Sequence, residues 1–382
     1  MDLYKETLDQ FKSRMFINAE KLIPTYVCSI GAHIFNLENK KRTIYTRGGL
    51  IPDMRLHVFM VTIPGFGKTY LLNQMMSKGV GLLADTSIKT RKIAEMSAAG
   101  LVGTIKSTQD GNVVTHFGLL HKHADSILGS EEFSVITTAS KQGHSSTLNM
   151  VLLSALDTGE VIKDLSGKGL DYFTFASLWA AVQPARYDLG DGFHRRFLFV
   201  VYMPTLADIK ALIESMEESN DLVVDFKRLI IFKDEISTRV KEVQDNLKKI
   251  KFSPEFYRWI KTKPIMHYEI ILYERMLLGY WIMKSETIME TLELELNDEI
   301  KQIIDQQIKY RLEVQKGVEK IKIWEIIKFY KEVTLEELVK MLLSFSLAYD
   351  YINKSLIALE KLGDIRIDNG IVYNLRYEEM KK

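Results

Sequence analysis

Val58-Phe59-Met60-Val61-Thr62-Ile63-Pro64-Gly65-Phe66-Gly67-Lys68-Thr69-Tyr70-Leu71-Leu72 passes from an apolar, β-branched stretch through a Pro-Gly break into Gly-Lys-Thr and an apolar helix start. That order of residue types reads as strand, loop and helix, with the loop shaped around a phosphate. Gly65 and Gly67 let backbone N–H groups curl about an anion. Lys68 can reach terminal phosphates, and Thr69 opens a helix whose positive end faces the same point. The Thr69 hydroxyl is placed to hold Mg²⁺, while Pro64, Phe66 and Tyr70 complete the cradle. Thr62 stands where the pattern G-x-x-x-x-G-K-[ST] has its first glycine. A nucleotide with Mg²⁺ is the expected ligand.

Outward from this loop, the chain of 382 residues, 46% hydrophobic, is long enough for two or three domains of roughly 100 to 200 residues each. Lys+Arg of 51 against Asp+Glu of 50 leaves a net charge of +1, so the overall balance advertises neither nucleic acid nor an acidic membrane. The single cysteine, Cys28, excludes an internal disulfide and any zinc site built on several thiolates; it reads as a core residue and fits a cytoplasmic location. No apolar stretch reaches the roughly 18 residues of a membrane span, and the N-terminus does not read as a signal peptide. Repeats and low-complexity tracts are lacking.

Residues 1–24 (Leu8, Phe11, Met15, Phe16, Leu22) read as an amphipathic helix ending before Pro24, and 25–53 as an adaptor. Together, 1–53 form an N-terminal helical extension. Strand-like runs at 56–63, 126–130, 173–182 and 197–203 alternate with helical stretches, the pattern of an α/β domain with a parallel sheet over 54–205. Residues 206–318, rich in Glu, Lys, Ile and Met, read as all-helical. In 319–382, Thr334-Leu-Glu-Glu337 is a capping box, a helix follows from Ser346 to Leu362 before Gly363, and Asn369-Gly370 marks a hairpin turn. Helices followed by a hairpin read as a winged helix, which binds DNA or docks proteins. Around its last helix and hairpin the positive charge comes from Lys354, Lys361, Arg366 and Arg376.

Hydrolysis needs a carboxylate for the metal and another for the attacking water, at a strand end beside the loop. Ser126-Ile-Leu-Gly-Ser130-Glu131-Glu132-Phe133 supplies both, Glu131 for Mg²⁺ and Glu132 for the water; alone, the pair also reads as a solvated strand end. Gln183 ends the apolar run 178–182 and can hydrogen-bond water and phosphate. Arg195 and Arg196 stand before the last apolar run, where an arginine either pairs locally or reaches a neighbouring subunit's phosphate.

Taken together, these segments resemble the ATPase domain of the minichromosome-maintenance (MCM) replicative helicases, a branch of the AAA+ superfamily. Ser97-Ala-Ala-Gly-Leu-Val-Gly-Thr104 is similar to the family's S-x-A-G-L-T element, which leads into a hairpin, here about 105–117 with Asp110-Gly111-Asn112 at its tip. Gly118 to Phe133 is similar to the family's acidic motif. Leu156 to Ile162 followed by Ser166-Gly-Lys168-Gly-Leu resembles the presensor hairpin, whose lysine touches DNA. Ala180-Ala-Val-Gln183-Pro-Ala-Arg-Tyr187 resembles A-A-x-N-P-x-x-G-R-Y, and Arg195-Arg196-Phe197 the S-R-F of the arginine finger.

The resemblance implies an AAA+ P-loop core with a helical lid, binding ATP and Mg²⁺ between subunits of a homo-oligomeric ring, most simply a hexamer around DNA. Lys68, Thr69, Glu131, Glu132 and Gln183 would act from one subunit. Arg196, with Arg195 next in order, would act from its neighbour, and Arg275 would be sensor 2. Lys106, Asn112, Lys163 and Lys168 would meet the strand in the pore, and the winged helix could engage replication partners. Thr62, Glu131 and Gln183 depart from the family's glycine, aspartate and asparagine. The family's N-terminal DNA-binding domain is replaced by some fifty residues, which points to a virus, plasmid or integrated element. Two rivals use the same loop: an AAA+ protein remodeller, and a DNA-replication initiator that binds ATP without efficient turnover.

Overall fold

The computed structural model describes residues 1–13, 18–39, 45–46, 49–50, 53–62, 67–93, 98–107, 113–133, 146–165, 168–183, 193–202, 204, 208, 210–211, 213–214, 225–316, 323–324, 326–327, 330–344 and 349–377. Two helices come first, α1 (Leu3–Ser13) and α2 (Ala19–Asn39), then a short antiparallel pair, β1 (Tyr45–Thr46) and β2 (Gly49–Leu50). The expected break before Pro24 does not occur: Pro24 lies inside α2. A proline in a helix interior costs about 3 kcal/mol, but this helix buries Leu22, Ile23, Tyr26, Val27, Ile30, Ile34 and Phe35, and each fully buried side chain of this kind returns roughly 1.5–3 kcal/mol. The N-terminal segment is thus part of the main core rather than an appendage to it.

Next come β3 (His57–Thr62), α3 (Lys68–Met76), β4 (Lys89–Ile93), α4 (Ala98–Val102), β5 (Gly103–Ser107), β6 (Val113–Phe117), α5 (Leu119–Lys122), β7 (Ser126–Ser130), α6 (Ser146–Asp157), β8 (Glu160–Leu165), β9 (Lys168–Phe173), β10 (Ser177–Val182) and β11 (Phe197–Tyr202). Five of these strands form a sheet in the order β11-β3-β10-β7-β4, parallel at every pairing. β3, β7 and β10 are buried along their whole length, as unbroken apolar runs in a sheet covered on both faces should be. Thr62 is the last residue of β3, paired in register with Tyr202, an extended position that suits a β-branched side chain. Antiparallel pairs β5–β6 and β8–β9 interrupt the helical connections before β7 and β10.

The region read as all-helical holds α7 (Phe226–Asp245), α8 (Pro254–Ile260), α9 (Ile270–Lys284) and α10 (Asp298–Lys316), but also a parallel pair, β12 (Lys249–Phe252) with β13 (Thr291–Leu294). These strands alternate exposed Lys or Glu with buried Ile or Leu, a period of two inside a Lys/Glu-rich composition that otherwise suggests helix. α9 crosses α2 at Gly31 and Gly279, where a Cβ on Gly31 would sit 2.0 Å from the Gly279 carbonyl oxygen. α10 seals the sheet edge: the Phe199 N–H donates to Gln307 Oε1 at 3.0 Å, and Arg311 Nη1 donates to the Phe197 carbonyl at 2.9 Å.

A separate core forms from Ile323, Ile327, Val333, Leu338, Leu342, Ile352, Leu356, Leu359, Ile365 and Val372. It lies among β14 (Glu332–Thr334), α11 (Leu335–Ser344), α12 (Tyr349–Lys361), β15 (Ile365–Asp368) and β16 (Ile371–Asn374), the strands forming an antiparallel sheet ordered β14-β16-β15. Thr334 caps the helix as expected, the Glu337 N–H donating to Thr334 Oγ1 at 3.2 Å, while the Glu337 carboxylate accepts from the Thr334 hydroxyl at 2.7 Å. Asn369 and Gly370, at φ 49° and 77°, make the turn. Among the described residues no helix is long and apolar enough to cross a membrane.

Candidate functional site

β3 delivers the chain to the carboxyl edge of the parallel sheet, where open α/β sheets bind ligands. Pro64, Gly65 and Phe66 lie outside the described residues. Gly67, the residue before α3, has φ 90° and ψ −8°, a left-handed conformation that favours glycine. The Leu71 N–H donates to the Gly67 carbonyl at 2.7 Å, the first α-helical bond of α3. The N–H groups of Lys68, Thr69 and Tyr70 belong to the first turn, which lacks intrahelical acceptors and suits an anion. Apolar Leu71, Leu72, Met75 and Met76 bury the far side of this helix. Lys68 and Thr69 are thereby fixed at its exposed end.

Two strands away, β7 ends at Ser130 and hands on to Glu131 and Glu132. Thr69 Oγ1 donates to Glu131 Oε2 at 2.6 Å, and Lys68 Nζ lies 4.0 Å from Glu132 Oε2. The Phe133 N–H donates to the Ala181 carbonyl at 2.9 Å, holding the turn after the acids against β10. Gln183 follows the last residue of β10, half-buried at the same edge. A lysine, a hydroxyl and two carboxylates from separate segments thus converge on one strand end, with an amide beside them.

Lys92 and Asn73 also belong here, and nothing in the sequence reading singled them out. Lys92 Nζ lies 3.5 Å from Glu131 Oε1 and donates to Asn73 Oδ1. Asn73 is one helical turn beyond Thr69, a spacing that could have revealed it. Lys92 sits on β4, whose Lys-Thr-Arg-Lys composition has no apolar run to mark a strand.

Other expected residues stand apart. Arg196, 7% exposed, donates from Nη2 to Asp157 Oδ2 at 2.9 Å and from Nε to the Leu153 carbonyl at 3.0 Å, tying the end of α6 to the start of β11. Arg195 is exposed. Arg275 does not join the Lys68–Glu132 group within one chain: its Nη1 donates to the Arg55 carbonyl at 3.2 Å, at the amino end of β3. A six-residue strand, roughly 20 Å at 3.3 Å per residue, separates it from Gly67. Lys106 lies in β5, Lys163 in β8 and Lys168 at the start of β9; Asn112 is outside the described residues.

That amino end is a buried polar network of its own. Asp53 pairs with Arg55 at 2.6 Å, and Arg55 donates to the Ala176 and Ala155 carbonyls, each at 2.8 Å. His57 Nδ1 accepts from the Leu178 N–H at 2.9 Å, so its Nε2 carries the proton toward the Leu156 carbonyl. Burial, reinforced by Arg55, pushes the His57 pKa down to about 3 and that of buried His33 to about 4.

Among the described residues no group of three or more His, Cys, Asp or Glu side chains is arranged to hold a metal. Mg²⁺ bound through one carboxylate, a hydroxyl and substrate phosphates needs no such group. Thr69 and Glu131, already in contact, fit that requirement. No protein-family model matches the chain, and no curated protein matches it.

Proposed function

We propose that the chain is an ATPase of the AAA+ type, working as a homo-oligomeric ring that moves a DNA strand, as an MCM-like helicase or translocase does. The observation that carries this reading is the convergence of Lys68, Thr69, Glu131 and Glu132 at the carboxyl edge of the sheet, beside a left-handed Gly67. The strand order adds support. It sets the phosphate-loop strand β3 between β11 and β10 and the acidic strand β7 next to β10, with paired strands inserted before β7 and β10. The C-terminal helices and three-stranded sheet read as a winged helix.

In this reading Lys68 neutralises the terminal phosphates, Glu132 orients the attacking water, and Gln183 hydrogen-bonds water and phosphate. Thr69 and Glu131 would hold Mg²⁺, whose charge would neutralise the phosphates. Lys92 and Asn73 act as positioning residues for Glu131. The finger from a neighbouring subunit is better assigned to exposed Arg195 than to Arg196, whose guanidinium is committed to Asp157.

The test is steady-state ATP hydrolysis with and without single-stranded DNA, combined with nucleotide binding by fluorescence. Lys68→Ala should weaken nucleotide binding and abolish turnover. Glu132→Gln should bind nucleotide and cut kcat by about 10²-fold or more, as loss of a catalytic base does. A wild-type protein that hydrolyses nothing in any oligomeric state overturns the enzymatic reading.

A further inference from the structure

β4 is the outer strand of the sheet, opposite the sealed β11 edge, and its Lys89 and Arg91 are exposed. Lys122, at the end of α5, is exposed as well. From Lys122 the chain runs through His123 into β7, whose Ser126 is paired in register with Lys89, so the three cations share one corner. His123 registers their fields: after burial, the charges of Arg91, Lys122 and Lys89 lower its pKa. Lys92, by contrast, turns to Glu131.

An aromatic platform adjoins this corner. Phe117 ends β6, and its ring stacks on His121 of α5 with centroids 4.0 Å apart and planes 23° from parallel. Tyr172 of β9 packs edge-on against both and donates its hydroxyl to the Val102 carbonyl at 2.6 Å, which fixes the platform. Phe117 stays 39% exposed, and His121 is exposed as well. Half-buried Glu160 is paired with Phe173 across β8 and β9, and exposed Asp171 lies two residues before Phe173 on β9.

We propose that the corner formed by Lys89, Arg91, Lys122 and Phe117 binds single-stranded nucleic acid, with bases on the exposed Phe117–His121 platform and phosphates on the cations. It rests on the preceding reading in that it says where the translocated strand lies at the base of the paired strands. Charges on an edge strand also guard against strand pairing, but that task does not call for stacked, exposed rings. A single strand presents both partners at once, π-faces and a row of anions. A duplex hides its base faces.

The test is anisotropy of labelled oligothymidylate and oligouridylate of about 16 nucleotides, titrated with full-length protein at about 50 and 200 mM salt. No nucleoside triphosphate is present. Binding of either strand that the variants weaken supports the site. The double variant Arg91→Glu, Lys122→Glu should weaken binding at least about tenfold and flatten its salt dependence. Phe117→Ala should weaken it about 5- to 150-fold with the salt dependence retained, since a lost stack is worth roughly 1–3 kcal/mol. Thermal melting confirms that each variant folds, and the exposed charge variant tests the site even if Phe117→Ala does not fold.

Wild-type binding that neither variant weakens overturns the proposal, as does a flat wild-type titration. Displacement by poly-glutamate at equal charge overturns it in favour of an acidic protein segment. Because no triphosphate enters the titration, its failure leaves the hydrolase reading standing, and a failure of hydrolysis leaves the titration interpretable.

Discussion

Arg195 and Arg196 are chain neighbours with opposite surroundings. The 3-10 turn Phe193–Arg196 points one guanidinium into Asp157 and leaves the other residue exposed. In sequence the two are indistinguishable, because only the turn decides which side of the chain each occupies. The histidines carry a comparable hidden difference. His33 and His57 are buried and neutral, with pKa values of about 4 and about 3 against an ordinary 6.5. The unfolded chain takes up both protons near 6.5, while the folded protein resists until far lower pH. Stability from these two groups is therefore complete above the ordinary histidine range and is lost as pH falls toward the folded values. Urea unfolding followed from pH 7 to 4 should show stability falling, most steeply between about pH 6 and 5, where each histidine contributes about 1.4 kcal/mol per pH unit. His33→Gln should remove about half of that slope, and a pH-independent midpoint across this window would contradict the assignment.

Helix α2 meets α9 backbone to backbone at Gly31 and Gly279. A methyl group on Gly279 would lie 1.9 Å from the Cys28 carbonyl oxygen. Glycine to alanine inside a helix ordinarily gains about 1 kcal/mol in propensity, whereas overpacking costs typically 1–3 kcal/mol and sometimes more. Backbone cannot move aside as a side chain can, so the clash should win. Gly279→Ala is expected to lower the thermal midpoint by several degrees, about 2–4 °C per kcal/mol for large domains, and an unchanged or raised midpoint would disprove the tight crossing. The elements also explain what was hidden in the sequence. Long apolar strands such as β3 and β10 announce themselves because both faces are covered. β4 does not, because its outer edge and alternating side chains face water, and with it Lys92 went unnoticed. Pro24 looked like a helix end because local cost is visible in sequence and the burial that outweighs it is not.

At the scale of the whole molecule, the main body is built on the two faces of the sheet, whereas the C-terminal residues around Leu338 and Ile352 keep their own core. Leu338, fully buried, should cost about 2–5 kcal/mol when cut to alanine. Hydrogen exchange in Leu338→Ala should accelerate across 330–377 and leave α3 and β3 protected; acceleration throughout would mean that the cores unfold together. The approach of Lys68 and Thr69 to Glu131 and Glu132 was legible because an apolar strand, Gly-Lys-Thr and a pair of acids after a second strand are each local patterns. Contacts across the fold, such as Arg196 to Asp157 or Arg275 to the Arg55 carbonyl, depend on packing that no local pattern encodes.

The capped edge of the sheet has a consequence for assembly. Gln307 and Arg311 consume hydrogen-bonding groups of β11, and cations line β4, so neither border invites the strand of another copy. A second copy that met this five-stranded sheet would therefore meet side chains rather than a free backbone ladder, and contacts of that kind part and re-form without breaking a row of backbone hydrogen bonds.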